Sequence, residues 1–490
     1  MFKHKNFHVS FVVVLMACFF MAISFVNHYF LRTSALDLGM FNQALYCFSK
    51  GEMNYFTLDV VGNSALYFAD HFSPLTFIYV PFYYLFGNWT LLIIQVVMIV
   101  LAGVAVYKIA MLTLKSHLQS LLCMFVFYAN WSIVSSLAFD FHNNVMAAMI
   151  LPWVYYWYLK GYRKYVIIGV FLMLLAKENT GLWVGFIFLG LSIQKAWENR
   201  KNLQTSSFSF ELVIVICSFL YFISINSIVM PLLNNGVNVQ LKRYALLGGD
   251  LKEIGWNFLI HPIRSLSYFF INTDLQQFDN IKRDFHLTVL LSGGAFLIIR
   301  PLYFWMLIPI YAQKMLASQS SLWGLGGQYS IEFSVIISFS LIFGIAKFQQ
   351  IKTRIWLLII VSVLTMSVNF YLVNATISEY LDRTTRDYSY SAHYDSGGVD
   401  VDYIKKAIQC IPNDVPVSVT SCLAPRLEKR QELYAFPIVK NASYIVLLTK
   451  GRSSWPLTDI ELTNSIKELK LSTEFKLIHD KKHLLIFKRK

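Results

Sequence analysis

The chain has 490 residues, of which 56% are hydrophobic and 14% are charged. A helix of about 20 apolar residues can cross a bilayer, and several such runs occur, so the sequence predicts a mainly α-helical, polytopic membrane protein. The net charge of +14 would suggest nucleic-acid binding in a soluble protein. Here the basic residues cluster at the ends of apolar runs, where membrane orientation and lipid head groups account for them. We expect membrane lipids as contacts and no nucleic acid.

Charge-poor runs recur along the chain from the N-terminus onward. The first follows Lys3 and Lys5 and is longer than the core of a signal peptide, so we expect a retained helix. The main runs are 7–31, 89–107, 118–139, 143–159, 212–241 and 355–378, with shorter ones between them. With the shorter runs included, we predict about eleven crossings.

Basic residues between the runs predict the orientation, because short basic loops face the cytoplasm. Four groups qualify: Lys3 and Lys5; Lys108, Lys115 and His117; Lys160, Arg163 and Lys164; and Lys195, Arg200 and Lys201. The N-terminus is then cytoplasmic, and residues 32–88 and 231–284 form outer loops within a transmembrane domain spanning 1–375. An odd number of crossings puts residues 376–490 outside, in an integral protein of a bacterial or archaeal cytoplasmic membrane.

The last 115 residues or so are less apolar, and strand-like runs at 415–419, 444–448 and 484–488 predict a small α/β module. The six cysteines are too dispersed for a disulfide scaffold or a cysteine-rich metal site. Cys410 and Cys422, both in this module, are the only pair placed to form a disulfide.

Lys177 and Glu178 interrupt the run 165–194, which basic loops predicted to lie on the same side flank at both ends. A single crossing cannot return the chain to its starting side, so this run must be a hairpin or a re-entrant pair. Charges at this depth are functional candidates by default, and we expect these two to be partners. The alternative is a salt-bridged turn between two helices.

Asp37 is the leading catalytic candidate, because it lies just beyond the first apolar run, where a carboxylate is costly near lipid. The predicted outward side also gathers His71, Asp140, His142, Lys177 and Glu178. A carboxylate base, cations and an apolar wall would suit transfer from a lipid-linked phosphate donor. Asp140 and His142 could instead help to hold a divalent metal. In a purely structural interpretation, Asp37 caps a helix, and each histidine is an interfacial side chain bonded to backbone.

Five motifs in order carry a resemblance to a known family. They are Leu36-Asp37-Leu38-Gly39-Met40-Phe41-Asn42-Gln43-Ala44, His71-Phe72-Ser73-Pro74, Phe139-Asp140-Phe141-His142, Lys177-Glu178-Asn179 and Leu423-Ala424-Pro425-Arg426-Leu427-Glu428-Lys429-Arg430. Together they resemble domain-of-unknown-function family 2079 of predicted prokaryotic membrane proteins. That family in turn resembles the GT-C superfamily of integral-membrane glycosyltransferases.

The resemblance implies a GT-C-like fold and a polyprenyl-phosphate sugar donor, with an acidic residue in the first outer loop acting on the acceptor. Asp37 occupies that place. The chain departs from the family at Arg426, where a histidine is frequent, and at Asn179, where an aspartate is frequent. GT-C enzymes often carry paired acids in the first loop, and here only Asp59 or Asp70 could fold back beside Asp37.

The resulting hypothesis is transfer of a sugar from a polyprenyl-phosphate donor to an extracytoplasmic lipid, glycan or protein. Asp37 is the base, and His71, His142 and Lys177 are candidates for phosphate contact. Asp140 and Glu178 would orient these cations or hold a metal, and Arg426 is a further substrate-binding candidate. The rival hypotheses are a transporter or flippase in which Lys177 and Glu178 relay protons, and a non-catalytic envelope assembly protein.

Overall fold

A computed structural model describes residues 2–58, 65–198, 209–236, 238–374 and 388–490, which are mainly helical. The helices are α1 (Phe2–Tyr29), α2 (Met40–Ser49), α3 (Tyr67–Asp70), α4 (Thr76–Phe86), α5 (Thr90–Leu114), α6 (His117–Tyr128), α7 (Trp131–Ala138), α8 (Asn143–Leu159), α9 (Arg163–Leu174), α10 (Thr180–Glu198), α11 (Ser209–Ser224), α12 (Met230–Leu233), α13 (Leu251–Ile260), α14 (Pro262–Ser267), α15 (Ile281–Val289), α16 (Phe296–Ile299), α17 (Pro301–Met315), α18 (Ser320–Trp323), α19 (Ile331–Ile345), α20 (Ile351–Asn374), α21 (Val401–Ala407) and α22 (Asp459–Leu471). The strands are β1 (Tyr55–Phe56), β2 (Ala65–Leu66), β3 (Val417–Val419), β4 (Leu433–Ala435), β5 (Tyr444–Leu448), β6 (Phe475–Lys481) and β7 (Leu484–Arg489).

Four helical segments of the described chain are long and apolar enough to cross a membrane: Asn6–Tyr29, Thr76–Leu114, Ser209–Leu233 and Ile351–Val373. A fifth is added if α6 and α7, which bend by 42° relative to each other, form one span. The predicted number of about eleven is not confirmed. Several expected crossings are too short for a straight span, since α9 has 12 residues and α19 has 15.

The second spanning segment begins at Thr76, earlier than the apolar run at 89–107 predicted. In sequence it follows α3 and His71 closely, so part of the predicted outer loop 32–88 is helical. The second predicted loop, 231–284, is also partly ordered. It holds the helical turn Val239–Tyr244 and the helices α13 and α14.

The run 165–194 is broken in the middle, as the paired charges predicted, with α9 ending at Leu174 and α10 beginning at Thr180. Polar side chains of other helices hold the break. The Asn226 amide donates to the backbone oxygen of Glu178 at 3.1 Å, and the Asn179 amide donates to Gln313 Oε1 at 2.7 Å.

The C-terminal module is built on a five-stranded sheet with the order β4-β3-β5-β7-β6. Strand β3 runs parallel to β4 and β5, whereas β7 is antiparallel to β5 and β6. The three predicted strands correspond to β3, β5 and β7, and β4 and β6 were not predicted. All six cysteines of the chain are unpaired, so Cys410, which is exposed, and Cys422, which is buried, form no disulfide.

The module packs directly on the segment that follows α1. Leu31, Ala35 and Leu58 share one buried core with strand residues of the module such as Val417 and Ile486. Thr57 adds polar contacts, because its hydroxyl donates to the backbone oxygen of Leu433 at 2.8 Å and accepts from its backbone nitrogen at 3.1 Å. The first loop is therefore held between the helices and the module.

Candidate functional site

Asp37 lies in a kinked turn, Ala35–Gly39, that connects α1 to α2. Its φ of 63° with ψ of −97° is rare for a residue with a side chain, and such strain is retained where the surrounding structure imposes it. Gly39 allows a close approach, because a Cβ atom there would lie 3.3 Å from Ala424 Cβ and 3.1 Å from the Ser34 oxygen. The module and the turn thus fix the position of Asp37 together.

Asp140 anchors this turn. The Ser34 backbone nitrogen donates to Asp140 Oδ2 at 3.0 Å, and the Ser34 hydroxyl lies 3.5 Å from the same atom. The buried Gln95 side chain fixes the backbone on either side of Phe141. Its amide nitrogen donates to the Asp140 backbone oxygen, and its amide oxygen accepts from the His142 backbone nitrogen. Asp140 is therefore bonded to the Asp37 loop, and the prediction that it orients cations has no described contact to support it.

His142 caps α8 and faces Asp37. Its Nδ1 accepts from the Asn144 backbone nitrogen at 3.4 Å, and its Nε2 lies 3.8 Å from Asp37 Oδ1. Burial, with Lys177 and His71 nearby, lowers the pKa of His142 well below its ordinary value. A neutral ring that accepts at Nδ1 carries its proton on Nε2, so the N–H of His142 is on the side of the Asp37 carboxylate.

His71 completes the histidine pair. Its Nδ1 donates to the Asp70 backbone oxygen at 2.8 Å, and its ring centroid lies 5.6 Å from that of His142. Phe41 of α2 packs on both rings. Gln240, from the segment 231–284, donates to the backbone and side-chain oxygens of Asp70 at 3.0 Å each.

Lys177 and Glu178 are both buried at the break between α9 and α10. They do not form the ion pair that the sequence suggested, because within the described ranges no nitrogen–oxygen contact of 4.0 Å or less joins them. Burial lowers the pKa of Lys177, while Glu178 and Asp37 act in the opposite direction. The Lys177 ammonium group is therefore within electrostatic range of Asp37, and among the described residues it makes no direct ion pair.

Asp37 is the acid at the centre of this cluster, and its side chain is 17% exposed. Burial raises the pKa of Asp37 to about 6, and His71, Lys177 and Arg243 limit the rise by favouring the charged form. Among the residues that the structure describes, no hydrogen bond occupies its carboxylate. A partly accessible carboxylate with a pKa near 6 can accept a proton at neutral pH.

Three residues of the site were missed by the sequence analysis: Gln95, Arg243 and Tyr329. Arg243 acts electrostatically on Asp37, His142 and Lys177, and the Tyr329 ring centroid lies 6.5 Å from that of His142. The pair Lys242-Arg243 in a predicted outer loop departs from the positive-inside pattern, and that departure could have identified Arg243. Gln95 and Tyr329 carry no comparable signal.

Arg426 belongs to different surroundings. Its Nη2 donates to the His28 backbone oxygen at 2.7 Å, and its guanidinium lies over the Trp89 ring at 5.0 Å. It has no described hydrogen bond to Asp37 or to the two histidines. The metal alternative at Asp140 and His142 also lacks support, since the described residues contain no group of three or more His, Cys, Asp or Glu that could hold an ion. Asp59 lies outside the described residues.

The model of the predicted membrane protein family DUF2079 matches residues 27–474 of the chain. No curated protein sequence matches it. Among solved structures, the fold is similar to that of ArnT from Cupriavidus metallidurans, crystallised bound to undecaprenyl phosphate, with a TM-score of 0.50 and 10% sequence identity. The alignment covers 98% of this chain and 97% of the ArnT chain. The resemblance to this family and to the GT-C fold is therefore confirmed over most of the chain.

Proposed function

Since the chain belongs to the DUF2079 family of predicted membrane proteins and shares the fold of ArnT over nearly its full length, we propose that it is a membrane glycosyltransferase. Its donor is a sugar carried on a polyprenyl phosphate, and its acceptor is an extracytoplasmic lipid, glycan or protein. The observation that carries the proposal is the partly accessible Asp37 carboxylate between a buried histidine and several cations. The neighbour bound to undecaprenyl phosphate supports the class of donor.

Asp37 is the proposed general base. The acceptor hydroxyl loses its proton to the Asp37 carboxylate as its oxygen forms a bond to the anomeric carbon of the sugar. The bond between that carbon and the phosphate oxygen breaks, and polyprenyl phosphate leaves with the electron pair. A positioned carboxylate base contributes roughly 10²- to 10⁴-fold to such a step.

Lys177, Arg243 and His71 are the proposed contacts of the phosphate. Positive charge placed where negative charge develops stabilises the departing group more strongly in a buried site than in water. His142 is the proposed orienting group for Asp37, because its Nε2–H is on the side of the carboxylate at 3.8 Å. Asp140 would position the turn through Ser34, and Glu178 would set the charge of Lys177.

An apolar surface for the lipid tail begins close to His71 in sequence. Helix α4 exposes large hydrophobic side chains, among them Ile78 at 48% and Leu85 at 73%. Exposed apolar area of this kind is accommodated by lipid in a membrane helix. We assign the polyprenyl chain to this face, with the N-terminus of the protein cytoplasmic and the C-terminal module on the outer side.

The test is mass spectrometry of lipid extracts and surface glycans from a deletion strain complemented with the wild type, Asp37→Asn or Asp480→Asn. Asp480 is the matched control, since it is an exposed acid paired with Lys470 in the module at 3.2 Å. Among the complemented strains, we expect only the one with Asp37→Asn to accumulate polyprenyl-phosphate sugar and to lose one glycan residue. If Asp37→Asn complements fully, or if deletion changes no lipid or glycan, the transferase proposal is wrong and transport or assembly becomes the better account.

A further inference from the structure

A cavity of about 550 Å³ lies between the C-terminal module and the turn at Asn88. Its charged lining residues are Lys405, Arg426, Glu428, Lys429 and Arg430. None of these residues is in the Asp37 cluster. Four cations facing one acid give the cavity an excess of positive charge.

Arg426 is held with unused bonding capacity. One nitrogen donates to the His28 backbone oxygen, the guanidinium lies over Trp89, and the buried Nε has no partner in the described part of the chain. A buried donor without a partner is costly, so Arg426 gains stability by binding an acceptor. Burial lowers the pKa of Arg426 only to about 10, so it stays charged at neutral pH.

Even a charged Glu428 leaves the cavity with a net positive charge, because it is one acid among four cations. Glu428 accepts from the Tyr83 hydroxyl at 3.1 Å, and burial raises the pKa of its carboxyl group. Arg430 is already used, because its guanidinium donates to the backbone oxygens of Leu427 and Val415. Arg426 and the exposed Lys429 remain as the cations that could bind an anion. Lys405 adds a weaker charge, because its Nζ lies 3.9 Å from Asp402 Oδ1.

The aromatic neighbours indicate the depth of this cavity. Lys405 Nζ lies 3.8 Å from the centroid of Tyr29, the last residue of the first spanning segment, and Arg426 lies over Trp89, which directly precedes the first residue of α5. Tyrosine and tryptophan at the ends of membrane helices are typical of the level of the lipid head groups. An anion bound here would be at that level.

We propose that this cavity binds a phosphate group at the outer membrane surface, with Arg426 as the main ligand and Lys405 and Lys429 as supporting charges. Guanidinium groups bind phosphate through parallel, charge-assisted hydrogen bonds. The phosphate belongs either to a lipid head group or to a soluble phosphate. This site is independent of the transferase proposal, since none of its residues takes part in the proposed chemistry.

The experiment uses the full-length protein in nanodiscs of phosphatidylcholine, with two probes. The first is phosphatidylglycerol mixed into the disc, with retained lipid counted by native mass spectrometry. The second is inorganic phosphate, with binding followed by the rise in unfolding temperature. The variants are Arg426→Gln and Lys429→Gln, and the control is Lys467→Gln, which removes an exposed charge from α22.

We expect Arg426→Gln to weaken binding at least about tenfold and Lys429→Gln to weaken it less, with Lys467→Gln unchanged. If the cavity variants lose binding of phosphatidylglycerol but not of inorganic phosphate, the ligand is a lipid head group. If they lose binding of inorganic phosphate only, the ligand is a soluble phosphate. The proposal is overturned if the wild type binds neither probe, or if both cavity variants bind as the control does. Because Lys429 is exposed, its replacement tests the site even if Arg426→Gln does not fold.

Discussion

The protonation of Asp37 provides a direct test of the proposed base, because its charged neighbours act on it with opposite signs. Arg243 favours the carboxylate and so lowers the pKa, whereas Asp70 disfavours it and raises the pKa. Replacing Arg243 with Gln should therefore raise the pKa of Asp37 above about 6. Replacing Asp70 with Asn should lower it. Each shift should amount to at most about one unit, because Arg243 and Asp70 act on Asp37 more weakly than His71 and Lys177 do.

The magnitude in the wild type follows from a pKa of about 6. About nine-tenths of the Asp37 side chains are then charged at pH 7, and about one-tenth at pH 5. Since only the carboxylate can accept a proton, the transfer rate should fall roughly tenfold between pH 7.5 and pH 5. The variants should displace this fall, Arg243→Gln toward higher pH and Asp70→Asn toward lower pH.

Infrared difference spectroscopy measures the ionisation without knowledge of the substrate. The absorption band of protonated carboxyl groups is followed from pH 4 to pH 8, a range that brackets a pKa of about 6. The part of this band that is absent from Asp37→Asn belongs to Asp37. The transfer rate in membranes from the complemented strains is then measured over the same range. A carboxyl band that titrates near the ordinary value of Asp, or variants that shift it in the same direction, would refute the electrostatic reasoning.

Three further outcomes are expected. Gly103→Ala should destabilise the protein by about 1–3 kcal/mol in thermal unfolding, because a Cβ atom there would lie 2.1 Å from the Tyr128 ring. Thr57→Val should lower the free energy of unfolding by about 1–3 kcal/mol, because the Thr57 hydroxyl accepts from Gln43 of α2 and donates to Leu433 of the module. The loss of this contact should also make the first loop more sensitive to protease. In intact cells, Cys410 should react with a membrane-impermeant maleimide, since it is exposed in the module proposed to lie outside.

The first two have matched control variants. Gly255→Ala, in a helix with nothing within 4 Å of the added carbon, should be neutral or slightly stabilising, and equal losses at both glycines would contradict the packing argument. Thr463→Val removes an exposed hydroxyl of α22 and should leave proteolysis unchanged. If a variant whose only cysteine is Cys410 is labelled only after cell lysis, the module lies inside and the proposed orientation is wrong.

Part of this protein was determined by its sequence. Long apolar runs predict a membrane protein because the thickness of the hydrocarbon core sets a local requirement on each helix. Basic loops at both ends of the run 165–194, with the charges of Lys177 and Glu178 in its middle, predicted a break in that run. Three short runs in the last 115 residues or so predicted strands. The ordered motifs were sufficient to identify the family, although each is short.

The partners of the candidate residues were decided by the tertiary structure. Asp140 bonds to the backbone at Ser34, and Arg426 lies in a separate cavity. Among the described residues, Lys177 makes no close ion pair with Glu178, although the two interact electrostatically. Arg243 joins the Asp37 cluster from a loop about 200 residues away in the sequence. Hydropathy and spacing describe neighbours along the chain, whereas these contacts depend on how distant segments pack against one another, so no local pattern could have predicted them.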